Sequence, residues 1–186
     1  YPGLGGKAGN FIEYNIMHPA ARQLIEDFVR TFSDRIKDYK SVNSICLSNE
    51  VQFKSSVFPD FYNNDWFGCD GKKHYGWWNY LRKLYGNDIS KLNAAYGTSH
   101  TDFQQVNMPT EETDKPQKIA DFKNFNDPIL KEWHTWLKSI IREYMPDVPV
   151  HAKLMQETYD WTKSYALMGE DIESFAEFSD LNGCDA

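Results

Sequence analysis

No run of apolar residues in this sequence approaches the roughly 20 residues that a helix needs to cross a bilayer. Cysteine is scarce as well: the sequence has three, Cys46, Cys69 and Cys184, and no Cys-x-x-Cys pair. An odd number at these spacings favours neither a disulfide framework nor a four-ligand zinc site. We therefore expect no membrane contact, no bound metal and no cofactor.

Basic residues are outnumbered: 20 Lys and Arg stand against 27 Asp and Glu, and the formal net charge is -7. This charge repels a phosphate backbone, and no basic run alternates with aromatic residues, so we exclude a nucleic-acid-binding protein. No segment repeats at a period of about 20 to 50 residues, which argues against a solenoid. The hydrophobic fraction of 41% and aromatic fraction of 16% indicate a globular protein with a substantial core.

Helical and extended patterns alternate along the chain. Apolar residues recur at helical spacing after Pro19 and predict a helix to about Tyr39, and the largely uncharged run 42–50 predicts a buried strand. An excursion over residues 51–125, with helices over 74–85 and 89–96, is long enough to indicate a function. The later predicted elements are a helix over 127–144, a strand over 148–155, helices over 161–167 and 172–178, and a short strand over 179–185.

The helix after residue 126 has the clearest pattern. Asp127 and Pro128 form a capping residue followed by a first-turn proline, which predicts that the helix begins there. Its apolar stripe includes Trp133 and Trp136, so both rings are predicted to lie in the core.

This alternation of strands and helices predicts an α/β fold with a parallel sheet. A doubly wound nucleotide-binding sheet is the weaker option, because the glycines between Gly3 and Gly9 precede a helix without following a strand. A complete (β/α)8 TIM barrel has eight strands and about 250 residues. With about three strands, residues 1–186 are predicted to be a single segment of a barrel.

Two groups of residues resemble those of a known enzyme family. The strand ending in Asn49-Glu50 resembles the fourth barrel strand of clan A glycoside hydrolases. The segment after it, with Tyr85-Gly86, Leu92-Asn93 and Tyr96-Gly97-Thr98, resembles the signature that follows this strand in family 42 β-galactosidases. On this register the strands of the chain are the fourth, fifth and sixth of the barrel. Cys69 alone occupies the neighbourhood of the cysteine cluster that family 42 members often carry, so the resemblance adds no zinc site.

The resemblance implies a retaining glycosidase in which Glu50 is the general acid/base and Asn49 binds a sugar hydroxyl. Such enzymes use two carboxyl groups about 5 to 5.5 Å apart, one as proton donor and one as nucleophile. The donor is kept protonated by burial and by the charge of the nucleophile. The family's nucleophile is a second Glu at the end of the seventh strand, which this register places beyond Ala186.

Other residues are candidates for sugar contact. Glu157 follows a predicted strand, Asp185 ends another, and Trp161 offers a flat ring for stacking. Trp66, Trp77 and Trp78 are also available, although packing is the favoured role of the last two. The expected partner is a carbohydrate substrate.

Two alternatives stay open on the sequence: another clan A β-glycosidase activity, and a non-catalytic carbohydrate-binding or structural relative of the barrel. By itself the chain would leave sheet edges and an apolar face uncovered. We therefore expect it to form homo-oligomers or to pack against the remainder of a barrel, and to have little hydrolytic activity alone.

Overall fold

The fold is taken from a computed structural model, which describes residues 19–50, 76–109, 115–154 and 169–184. Each predicted strand range contains a strand, and each predicted helix range that the structure describes contains a helix, although some bounds differ. The helix predicted over 161–167 lies outside the described residues. The elements are, in order, α1 (Pro19–Ile36), β1 (Ile45–Asn49), α2 (Trp77–Leu84), α3 (Ile89–Tyr96), a short 3-10 helix (Phe103–Gln105), α4 (Pro116–Tyr144), β2 (Val150–Leu154), α5 (Ile172–Phe178) and β3 (Gly183–Cys184). Within these four stretches of the chain, no helix is both long and apolar enough to cross a membrane.

The chain divides into two compact units. The first comprises Tyr1–Arg22 and Lys54–Phe125, and the second comprises Gln23–Phe53 and Asn126–Ala186. Helix α4 contributes residues 116–125 to the first unit and residues 126–144 to the second. The sheet belongs to the second unit, and the signature segment belongs to the first.

The three strands form a parallel sheet in the order β1-β2-β3, which confirms the predicted parallel arrangement. Lys153 of β2 pairs with Asn49 of β1 on one side and with Gly183 of β3 on the other. The carboxyl ends of the strands therefore meet at one edge of the sheet, where parallel α/β folds place their chemistry.

Strand β1 contains one residue more than β2 over the same span. Cys46 pairs with His151 and Asn49 pairs with Lys153, so three steps along β1 match two along β2. This is a β-bulge, which shifts the alternation of side chains along a strand. Leu47 packs against the apolar residues beneath the sheet, and Ser48 bonds a helix on that same side, whereas Asn49 is exposed.

Helices α1, α4 and α5 cover one face of this sheet. One apolar cluster joins β2 and α5, and the other joins β2 and α4, with residues of α1 and β1 packed against it. The alternating side chains Val150, Ala152 and Leu154 are 0 to 4% exposed and supply the sheet side of both clusters. Burial of these side chains on one face fixes the register of β2.

The predicted start of the long helix is wrong. Helix α4 begins at Pro116 and runs through Pro128 to Tyr144 without a break. Pro128 removes one backbone hydrogen bond, but the turns before it carry Ile119, Phe122 and Phe125 at helical spacing, and the last two are buried. Packing of this first part therefore extends the helix past a residue that usually starts one.

The predicted core position of Trp136 is also wrong, whereas that of Trp133 is confirmed. Trp133 is 7% exposed, but Trp136 is only partly buried and lines an open groove along α4 together with Lys131 and Thr135. At 3.6 residues per turn, Trp136 lies at the border of the apolar stripe. His134, a polar residue, lies at the opposite border of the stripe and is fully buried.

Helix α1 exposes apolar side chains along one face. Leu24, Phe28 and Phe32 follow one another at four-residue spacing and are 71%, 66% and 40% exposed. The rings of Phe28 and Phe32 stack with their centroids 6.0 Å apart. The stripe agrees with the expected uncovered apolar face, and the oligomeric state stays a prediction.

Asp180 ties the amino end of β2 to the segment between α5 and β3. Its carboxylate accepts hydrogen bonds from the Val150 amide at 2.9 Å, Lys138 Nζ at 2.8 Å and Arg142 Nη2 at 2.5 Å. Its own amide donates to the Val150 carbonyl at 2.8 Å. Desolvation opposes the charge, but the hydrogen bonds from Lys138 and the Val150 amide outweigh it and lower the pKa of Asp180.

We expect Asp180→Asn to lower the free energy of unfolding by roughly 1 kcal/mol at neutral pH, a value reduced for partial exposure. Because the folded pKa is below the unfolded one, this stabilisation is present above the unfolded pKa and is lost as pH falls through the folded value. Thermal unfolding at pH 7 and pH 3 measures the difference from wild type. Glu177→Gln, which loses only the exposed pair with Lys131, is the matched control and should change little.

Candidate active site

The end of β1 has an unusual backbone. Asn49 is exposed, and Glu50 follows it with a backbone φ of 51°. This lies in the left-handed region, which residues other than glycine rarely adopt. The Glu50 amide donates to the Lys153 carbonyl at 2.9 Å, so the residue stays attached to β2. Backbone strain of this kind costs of order 1–3 kcal/mol and is concentrated at functional sites.

The strain at position 50 predicts an order of stability among variants. We expect Glu50→Gly to be more stable than Glu50→Ala by about 1 kcal/mol, because glycine has no Cβ to oppose a positive φ. Thermal unfolding of the two variants measures the difference. At Asn79, an exposed helical position, the same pair should show the opposite order. Equal stability of the two position-50 variants would contradict the strained backbone.

Ser48 connects β1 to helix α4. Its hydroxyl lies 2.7 Å from His134 Nε2, and the other ring nitrogen of His134 lies 2.7 Å from the Leu130 carbonyl. Desolvation lowers the pKa of His134 to about 4, against the smaller opposing effect of the hydrogen bond to Leu130. The imidazole is therefore neutral near pH 7.

The remaining predicted site residues are either outside the described ranges or packed in the interior. Glu157, Trp161 and Asp185 lie outside the described residues, as does Trp66. Trp77 is 0% exposed and packs on Phe122 and Phe125, which excludes it as a sugar-stacking ring in this structure. Trp78 is partly buried, and its Nε1 donates to the Val106 carbonyl. Packing, the favoured role of Trp77, is confirmed.

The aromatic residues of the signature surround a buried carboxylate. Asp121 of α4 is 3% exposed and accepts hydrogen bonds from the hydroxyls of Tyr85 at 2.6 Å and Tyr96 at 2.8 Å. Gln117 donates to its second oxygen at 2.8 Å. Desolvation, followed by the hydrogen bond to Asp121, raises the pKa of both tyrosines, which keeps their hydroxyls protonated as donors.

The small and polar residues of the signature build the turn after α3. Gly97 caps the helix with φ at 65°, a conformation suited to glycine. The Asn93 side chain accepts from Thr98 Oγ1 and the His100 amide, and donates to the His100 carbonyl, at 2.8 to 2.9 Å. These contacts account for the residue types of the signature by structure alone.

We found no cluster of three or more His, Cys, Asp or Glu side chains suited to a metal ion within the four described ranges. The buried histidine of the second unit has partners that are a serine hydroxyl and a carbonyl oxygen.

Residues 5–183 match the model of glycoside hydrolase family 42, whose description is β-galactosidase. The chain belongs to this family. The resemblance seen in the Asn49-Glu50 strand and in the signature after it is thereby confirmed. Family 42 enzymes are glycoside hydrolases, so glycosidase activity is supported at the level of the family. No curated protein matches the chain.

Solved glycosidase structures share the fold. The apo exo-carrageenase from Bacteroides ovatus is 24% identical with a TM-score of 0.64, over 98% of this chain and 25% of that chain. A β-galactosidase from the Antarctic haloarchaeon Halorubrum lacusprofundi is 17% identical with a TM-score of 0.63, over 97% of this chain and 25% of that one. A β-galactosidase from Bacillus circulans sp. alkalophilus is 17% identical with a TM-score of 0.62, over 94% of this chain and 24% of that one. The chain thus spans about a quarter of the length of these three proteins.

Sequence reasoning missed three residues of this chain that make these hydrogen bonds: Ser48, Asp121 and His134. A signal was present for one of them, because His134 lies on the apolar stripe of α4, where a polar side chain needs a partner. The partner is 86 residues away in sequence, so its identity is not readable from the pattern.

Proposed function

We propose that the protein containing this chain is a retaining β-glycosidase in which Glu50 is the general acid/base. The observation that carries the proposal is the Glu50 backbone: it ends a strand of the parallel sheet at φ 51°, in a chain that belongs to a glycosidase family. A strained carboxylate at the carboxyl end of a barrel strand is where TIM-barrel enzymes place catalytic groups.

We assign β1, β2 and β3 to the fourth, fifth and sixth strands of a (β/α)8 barrel, of which residues 1–186 form a single segment. Their order supports this, because strands consecutive in sequence are parallel neighbours in the sheet. The exposed stripe of α1 formed by Leu24, Phe28 and Phe32 is the surface that a preceding barrel element would cover. The nucleophile is then a glutamate of the seventh strand.

In this mechanism Glu50 protonates the oxygen of the leaving group while the nucleophile attacks the anomeric carbon and forms a glycosyl-enzyme intermediate. Glu50, now ionised, then removes a proton from the water that hydrolyses the intermediate. Asn49 is exposed at the end of β1, where its amide donates to the hydroxyl beside the anomeric carbon. Glu157, Trp161 and Asp185 are proposed to contact the sugar.

A β-galactoside is our first choice of substrate, because the matching family is described as β-galactosidase. A solved relative that is named an exo-carrageenase gives a reason to test other substrates of the family as well. The non-catalytic alternative, in which the barrel binds carbohydrate without cleaving it, is an outcome of the same experiment.

The experiment uses the longest natural protein that contains this sequence, with a panel of aryl β-glycosides and carrageenan oligosaccharides. Proton NMR identifies the anomer that is released first. Initial release of the β-anomer establishes retention, and the preferred sugar defines the activity. Initial release of the α-anomer would exclude double displacement. Binding of sugars without any turnover would support the non-catalytic relative.

A further inference from the structure

The hydrogen bonds of His134 define where its proton lies. A carbonyl oxygen can only accept, so the nitrogen that faces Leu130, Nδ1, carries the hydrogen. Because burial keeps the ring neutral, Nε2 has a free electron pair and accepts from the Ser48 hydroxyl. The result is a directed chain from the Ser48 hydroxyl through the imidazole to the backbone of α4.

The ring that receives this hydrogen bond is held firmly. It stacks on Phe178 with the ring centroids 4.7 Å apart and the planes 2° from parallel. Phe175 and Trp133 contact its other sides at centroid distances of 5.1 and 4.9 Å. His134 is 0% exposed, so a well-packed wall of α4 and α5 presents one acceptor to β1.

His134 Nε2 contacts β1 at Ser48, within the bulge. Cys46 is the last residue in regular register, and pairing resumes at Asn49. Ser48 lies between them, two residues before Glu50. Two of the bonds that hold this stretch are that of Ser48 to His134 on the helix side and that of the Glu50 amide to Lys153 on the strand side.

We propose that the Ser48–His134 hydrogen bond is a positioning contact. It fixes the position and orientation of the backbone at Asn49 and Glu50, where the chain leaves the sheet. This inference rests on the proposed role of Glu50 as the acid/base. A carboxyl group that donates a proton must lie within hydrogen-bond reach of the leaving oxygen, and a displacement of about 1 Å can lower the rate about 100-fold. Neither Ser48 nor His134 is proposed to touch the substrate.

The test separates positioning from general stability through the leaving group. A phenyl glycoside needs a proton on its leaving oxygen, whereas a dinitrophenyl glycoside departs without one. In the full natural protein we expect Ser48→Ala and His134→Leu to lower kcat/KM for the phenyl glycoside by roughly 10- to 100-fold. We expect kcat/KM for the dinitrophenyl glycoside to fall by less than about threefold, because a misplaced acid slows only the cleavage of bonds whose leaving oxygen must be protonated.

Two further variants keep the test decisive. His134→Gln places an amide oxygen near the position of Nε2 and should recover much of the phenyl-glycoside activity that His134→Leu loses. Asp180→Asn removes hydrogen bonds at the opposite end of β2 and should lower stability without any leaving-group dependence. This variant therefore gives the kinetic pattern expected when stability alone is reduced.

Equal losses on both substrates for Ser48→Ala and His134→Leu, as with Asp180→Asn, would overturn the positioning role while leaving the proposed function intact. Full activity of both variants on the phenyl glycoside would overturn it too. If Glu50→Ala itself shows no leaving-group dependence, the proposed function fails, and the positioning inference fails with it. The Glu50 measurement therefore identifies which of the two is wrong.

Discussion

Glu50→Ala should lower kcat/KM for an aryl β-glycoside with a poor leaving group by roughly 10²- to 10⁴-fold, the range for loss of a general acid. The loss should shrink as the leaving group becomes more acidic, because a good leaving group departs without a proton. Steady-state kinetics on a series of substituted phenyl glycosides measures this slope in the natural protein that contains the chain.

The second half of the same prediction concerns the intermediate. Without a base to activate water, the glycosyl-enzyme of Glu50→Ala should accumulate on activated substrates and turn over slowly. Azide, an anion that needs no base, should accelerate turnover and give a β-glycosyl azide. Mass spectrometry and NMR identify this product, and its β-configuration reports two inversions at the anomeric carbon.

Asn79→Ala, an exposed substitution on α2, is the matched control and should behave as wild type. Wild-type turnover by Glu50→Ala on the poorest leaving group would show that another residue donates the proton. An azide product of α-configuration would contradict a covalent intermediate with retention. Poor folding would explain neither result, because each is measured on enzyme that is catalytically active.

Asp121→Ala should be the most destabilising of the substitutions considered, at about 3 to 5 kcal/mol in the free energy of unfolding. The change leaves the hydroxyls of Tyr85 and Tyr96 without their acceptor, and an orphaned buried polar group costs about 1–3 kcal/mol. The Gln117 amide also loses its partner. Thermal unfolding followed by circular dichroism measures the effect.

Asp121→Asn is the matched control, because it keeps an acceptor oxygen and the volume of the side chain, and it should lose less than half as much. Tyr96→Phe removes one hydroxyl and should cost about 1 kcal/mol. The triple variant with Asp121→Leu, Tyr85→Phe and Tyr96→Phe should be more stable than Asp121→Ala, because neither tyrosine hydroxyl is left unpaired. A mild effect of Asp121→Ala would show that water replaces the carboxylate.

The residues of the signature have structural roles in this chain. Tyr85 and Tyr96 hold Asp121, and Asn93 holds the turn that Gly97 begins, so each residue type has a structural reason. Chemistry is proposed to be carried by different residues, at the end of β1.

Local patterns were sufficient where a structure depends on neighbours along the chain. Helix α3 spans the predicted residues 89–96, and the structure shows Asp88 as its amino-terminal cap and Gly97 as its carboxyl-terminal cap. They failed at Pro128, where a local start signal was overridden by the packing of Phe122 and Phe125 in the preceding turns. They also placed Trp136 in the core, although it lies at the border of its stripe.

The sequence by itself determined the family, the parallel α/β fold, and the strand that ends in Asn49 and Glu50, because these depend on residue types and their spacing. The tertiary structure decided the bulge in β1, the left-handed backbone of Glu50, and the burial of His134 beside Ser48. Each of these needs two segments far apart in sequence to come together. Which hydrogen-bond donor meets which acceptor is decided by packing, and packing is a property of the folded chain.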